Sequence, residues 1–180
     1  MKRIVTFLSI IISFGLLLVS CNSEPSLQRY FVDHQELPNF MSQDVPISML
    51  KVDEASFTAA QQEAYKSVRR LNFLGFKNDS TNTGLYTTEL NKVRGILKQD
   101  KYQDLVEFSD KGKKVLVKYI GDDEEADEVI VLVSAEDMGF ALVRILGDHM
   151  SPEKMVTLAE ALNNADIDES QMQNMMDFFK

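Results

Sequence analysis

Only one cysteine, Cys21, occurs in the 180 residues, and tryptophan is absent. A single thiol cannot make an intrachain disulfide, a CxxC redox pair or a multi-thiolate metal site. Histidine is almost as scarce. His34 and His149 stand in no nucleophile or zinc-binding spacing, so nucleophilic and zinc chemistry lack their usual parts. The 8 glycines are scattered, with no GxGxxG or GxxxxGK to cradle a phosphate. Positive charge is short too: 19 Lys and Arg face 28 Asp and Glu, a net charge of −9. So acidic a chain does not hold a polyphosphate by charge, which argues against nucleic acid as a partner. No paired carboxylates stand out for glycoside hydrolysis, and no cofactor or resident metal is expected.

What is present is concentrated at the amino end. Met1-Lys2-Arg3 carries two cations, and residues 4–19 are apolar apart from Thr6, Ser9, Ser13 and Gly15. A charged head, an apolar middle and a small-residue exit make the tripartite plan of a secretory signal. Sixteen helical residues reach only about 24 Å at ~1.5 Å each, short of the roughly 20 residues a bilayer crossing takes. A retained transmembrane helix is therefore the weaker reading. The run ends in Leu18-Val19-Ser20-Cys21, which resembles a bacterial lipobox. That resemblance implies that the Cys21 sulfur accepts a diacylglycerol and that a signal peptidase cuts between Ser20 and Cys21. Further acylation of the new amino group would give two or three chains, enough for stable anchoring where one is marginal. Loss of residues 1–20 removes Lys2 and Arg3, and the net charge moves to −11. Asn22 follows Cys21 and only Glu24 is charged nearby, so the outer membrane facing the periplasm is the expected address, with the cell surface as the alternative.

Residues 21–26, with Pro25, read as a lipidated tether, and residues 27–180 as a single domain of ordinary size. Leu27, Tyr30, Phe31 and His34 fall at helical spacing before Pro38, and 40–45 reads as a short strand stopping at Pro46. Thr58 with Gln61 is a capping box for a helix whose face would carry Ala60, Ala64, Val68 and Leu71. Residues 73–76 then read as a short strand, and Tyr86, Leu90, Val93 and Leu97 as the next helix. Tyr102, Leu105 and Val106 suggest a shorter helix after it.

Three β-rich runs, 113–120, 128–134 and 139–146, are separated by short turn-forming links and predict a three-strand antiparallel meander. Residues 129–133 are apolar on both faces, as in a central covered strand. Lys118 and Arg144 each interrupt one face, which suggests that this face is partly wet. Ser151-Pro152-Glu153 is a helix start, with Met155, Leu158, Ala159 and Leu162 as its buried stripe and Asn163-Asn164 as its end. Asp168 and Gln171 cap a last helix over 168–179, where Met172, Met175, Met176 and Phe179 repeat at i, i+3, i+4, i+7. The expected architecture is α+β: a mixed, largely antiparallel sheet of about five strands, with helices packed on one face.

Several segments carry the pattern of a known family. They are Leu27-Gln28-Arg29-Tyr30-Phe31, Lys101-Tyr102-Gln103-Asp104-Leu105, Asp127-Glu128-Val129-Ile130-Val131-Leu132-Val133, and the run from Gly139 to Asp148. On them the chain resembles small Gram-negative lipoproteins, common in the Bacteroidota, of the domain of unknown function DUF4252. The resemblance implies an envelope location and one domain, and it implies no activity.

The remaining candidates have bland readings. Asp122-Asp123-Glu124-Glu125-Ala126-Asp127-Glu128 could gather Ca²⁺, yet it lacks the spaced oxygens and glycine of an EF-hand and reads as a solvated hairpin tip. Asn164, Asp166 and Asp168 imitate half a calcium loop, but Glu169 and Met175 stand where its glycine and glutamate belong. His149 reads as an exposed loop histidine and His34 as the edge of the first helix. The Met/Phe stripe of 172–179 serves either the chain's own core or a partner surface, since such side chains are soft and adaptable. The expected function is a non-catalytic binding or adaptor domain, held to the membrane by lipid and meeting another envelope protein. The alternative is a periplasmic hydrolase or small-ligand-binding protein with its own kind of site.

Overall fold

The computed structural model describes residues 24–50, 52–164 and 173–179. Residues 1–23, with Ser20 and Cys21, lie outside the described residues, as do Asp168, Gln171 and Met172.

Helix α1 spans Leu27–His34; the Ser26 hydroxyl accepts from the Arg29 amide at its start. Strand β1 follows over Phe40–Pro46. Helix α2, Ala59–Ser67, begins at the capping box, with the Thr58 hydroxyl accepting from the Gln61 amide and the Gln61 side chain accepting from the Thr58 amide. It gives way at β-branched Val68 to strand β2, Val68–Lys77. Helix α3 covers Thr83–Ile96. Then come β3, Gln103–Asp110; β4, Lys113–Gly121; β5, Ala126–Ala135; and β6, Gly139–Met150. Helix α4, Pro152–Asn164, starts with the Ser151 hydroxyl accepting from the Lys154 amide, and α5 spans Gln173–Phe178.

The six strands form one sheet in the order β1-β2-β6-β5-β4-β3, and every neighbouring pair is antiparallel. The fold is α+β, and β5 lies inside the sheet as its doubly apolar pattern required. Several features differ from the sequence reading. Residues 103–110 are an edge strand, not a helix, so the meander has four strands. A bulge between Asp104 and Val106 turns consecutive apolar residues to one face, which imitates helical spacing. The same device, a bulge between Val68 and Arg70, brings Val68 and Leu71 into one core from strand β2 rather than from α2.

Helices cover both faces of the sheet rather than one. On one face Leu74, Phe76, Ile130, Leu132, Phe140 and Leu142 pack against Leu27, Tyr30 and Phe31 of α1 and Tyr86, Leu90, Val93 and Ile96 of α3. On the other, Val68, Tyr119, Val129 and Met150 pack against Ala64 and Tyr65 of α2 and Met155, Leu158 and Ala161 of α4. The stripe of α4 therefore includes Ala161, while Ala159 is exposed.

The face carrying Lys118 and Arg144 is partly wet, as expected: Asp104, the partner of Lys118, is 78% exposed, and the two line a cleft of about 370 Å³. Lys118 Nζ donates to the Tyr102 carbonyl and to Asp104, each at 2.9 Å. Arg144 donates from Nε and Nη2 to the two oxygens of Glu128 at 2.6 and 2.8 Å, with Cζ 5.5 Å from the centre of the Phe31 ring. Paired charge satisfies both heads. Gly139 closes the β5–β6 hairpin at φ 125°, and any side chain there would collide with the Phe76 carbonyl.

Candidate functional site

Where α1 lies against α3, four polar side chains meet inside the apolar packing. Tyr30 and His34 stand at i, i+4 on α1, and Glu89 and Lys92 at i, i+3 on α3, so each pair shares a helix face. Glu89 is buried to 4% exposure. Its Oε2 accepts from the Tyr30 hydroxyl at 2.9 Å and faces His34 Nε2 at 3.1 Å, and its Oε1 accepts from Lys92 Nζ at 2.7 Å. His34 Nδ1 lies 2.7 Å from the Tyr30 carbonyl. A carbonyl and a carboxylate both accept, so a ring protonated on both nitrogens satisfies both contacts. The imidazole stacks on Tyr30 at 3.9 Å and meets Phe40 at 5.0 Å.

These neighbours decide the protonation of the cluster. Burial alone would push the Glu89 carboxyl up. The hydrogen bonds from Lys92 and Tyr30, with the charges of Lys92 and His34, outweigh it and hold the group below its ordinary value of about 4.5. Burial, reinforced by the Glu89 carboxylate, keeps the Tyr30 phenol protonated far above its usual range. The lowered Glu89 value means that its stabilisation is complete above the ordinary carboxylate range and drains away as acid protonates it. Between about pH 6 and pH 3, the urea midpoint of the wild type should fall further than that of Glu89→Gln. Parallel profiles would show that the fold does not lower the pKa of the Glu89 carboxyl.

Beside the cluster runs a groove of about 320 Å³, lined by Pro25, Tyr30, His34, Lys92, Gly95 and Ile96. The chain enters the domain along its lip, where Gln99 Nε2 donates to the Pro25 carbonyl at 2.7 Å. Both oxygens of Glu89 are engaged by Tyr30, His34 and Lys92, and among the described residues no serine or threonine hydroxyl is hydrogen-bonded to the cluster side chains. The arrangement therefore holds α1 to α3 and shapes a groove; it does not align a nucleophile with a base. Farther along the same sheet face, a cleft of about 510 Å³ is lined by Arg94, Lys111, Lys114, Glu136 and Asp137, charges of both signs.

His34 is the last residue of α1, the helix edge that the sequence spacing predicts, whereas Glu89 drew no notice from the sequence. A signal was there: Glu89 lies three after Tyr86 and four before Val93, on the buried face of α3. His149 is exposed at the end of β6, at φ 53°, with Nδ1 3.2 Å from Glu125. Asp122 Oδ1 accepts from the Glu124 and Glu125 amides, so this acid shapes the hairpin tip. Among the described residues no cluster of three or more His, Cys, Asp or Glu is placed to hold a metal ion. No helix among them is long and apolar enough to cross a membrane.

The Met/Phe stripe divides. Phe179 meets Phe73 edge-on at 6.4 Å and covers Gly75, where a Cβ would come within 3.0 Å of its ring. Met175 is half-buried, and Met176 is exposed. The structure thus brings Phe179 onto the chain's own sheet, well away from the α1–α3 groove.

No curated protein and no solved structure matches the chain. One family model does, over residues 31–158, from the last turns of α1 into α4. By that match the chain belongs to the family described as Domain of unknown function (DUF4252), as its strand and turn patterns had suggested.

Proposed function

We propose that this protein is a lipid-anchored binding domain of the bacterial cell envelope, tethered at Cys21 to the outer membrane and facing the periplasm. The observation that carries the reading is the placement of the chain's only thiol directly after a charged head, a sixteen-residue apolar run and Leu18-Val19-Ser20. In the chemistry this implies, the Cys21 sulfur forms a thioether to the glycerol carbon of a phospholipid donor. The donor's phosphate headgroup leaves as that carbon–oxygen bond breaks, and the thiol proton is released. Peptide hydrolysis between Ser20 and Cys21 then frees the amino group for acylation. At about 0.8 kcal/mol per buried methylene, two or three chains hold the protein firmly.

The domain's own surface suits a binding task. Its polar cluster is spent on internal hydrogen bonds, whereas the groove beside it is open and largely apolar. Envelope proteins and amphiphilic small molecules are the partners such a surface fits, and exposed Met176 offers a second contact. Cys21→Ala tests the anchor. Labelled fatty acid should enter the wild type and not the variant, and the variant should leave the membrane fraction almost completely. A variant that still pellets with membranes and keeps the label would overturn the reading.

A further inference from the structure

We propose that the α1–α3 groove is the seat of one of the acyl chains carried by Cys21. The inference rests on the lipidation proposed above and adds where one chain goes. Three observations converge on it.

The groove is an apolar trough of about 320 Å³, formed by the Tyr30 ring, Pro25 and Ile96, within the size range of ligand sites. Its lining includes Gly95, the second-last residue of helix α3. A Cβ there would meet nothing within 4 Å, so the position adds open space to the trough.

The third observation is where the chain comes in. Gln99 pins the Pro25 carbonyl to the end of α3, and Pro25 and Ser26 are themselves part of the groove wall. Cys21 lies four residues before Pro25, so a fully extended link separates their Cα atoms by at most about 14 Å. An acyl chain tethered so close has a high effective concentration at the trough, and its burial there is favoured as for any apolar surface removed from water. Lys92, half-exposed at the polar end, is placed to meet the acyl carbonyl.

The test uses the full mature protein from cells fed a diazirine-bearing fatty acid, reconstituted in phosphatidylethanolamine and phosphatidylglycerol vesicles and irradiated. Mass spectrometry should find the peptide containing Cys21 crosslinked through its own acyl chain to α1 or α3, at Tyr30, Gly95 or Ile96. Gly95→Leu, whose Cβ would meet nothing within 4 Å, narrows the trough, and its fold is checked by circular dichroism. Excluding even two methylenes from the groove should lower the crosslink yield about tenfold. Label on Cys21 with crosslinks only to vesicle lipids would overturn the inference while leaving the anchor intact. So would a free phospholipid crosslinked in the groove, or an undiminished yield in Gly95→Leu. A protein that takes up no label would overturn both the anchor and the inference.

Discussion

Arg144→Ala should lower the free energy of unfolding by about 3–5 kcal/mol, read as a lower urea midpoint at unchanged slope. Arg144 and Glu128 project from adjacent strands beneath α1, each side chain about 12% exposed. Burial opposes the guanidinium charge, but the two hydrogen bonds and the charge of Glu128 keep it firmly protonated. Removing the arginine strands a carboxylate in a dry site and takes the cation from the face of Phe31. The cost is that of the orphan, not the net value of the pair. Replacing both partners, as Arg144→Leu with Glu128→Leu, should therefore recover most of the loss or exceed the wild type. A single variant that loses less than about 1 kcal/mol would mean that water reaches Glu128.

Phe76→Ala should cost a similar amount, about 3–5 kcal/mol. Phe76 is fully buried in β2. It stacks on Phe140 at 5.4 Å, meets Phe40 edge-on at 5.0 Å and approaches Tyr86 at 6.3 Å. The same ring system continues through Phe40 to His34 and Tyr30, so it connects the sheet to the polar cluster. A cavity at Phe76 should therefore be felt in α1, as faster amide exchange from Tyr30 to His34 than in α4, which packs on the opposite face. Equal acceleration in both helices would show that the two faces of the sheet loosen together.

Much of this fold could be read from residue spacing because most elements obey one period throughout. The row Tyr86, Leu90, Val93 marks α3, and two short polar links mark the β4–β5–β6 hairpins. The failures fall where a bulge breaks the period. At Asp104–Val106 and at Val68–Arg70 an extra residue shifts the alternation by one, and a strand borrows the spacing of a helix. Lys118 and Arg144 could be read as charges interrupting a face that is partly wet, but their partners could not be read with them. Those partners, Asp104 and Glu128, come from neighbouring strands, and nothing in linear spacing announces the pairing. Glu89 stayed hidden in the same way. Its position on the buried face of α3 was legible, but its meaning depends on Tyr30 and His34, more than fifty residues earlier in the chain.

The claim on which the functional account depends is the conversion of Cys21 into a lipid anchor. Intact-mass measurement of the protein extracted from native membranes, with sequencing of its first peptide, tests it most directly. The account predicts a chain that begins at Cys21 and carries the added mass of a diacylglycerol with or without a further acyl group. A chain that begins at Met1, or one that retains an unmodified Cys21 thiol, would contradict it.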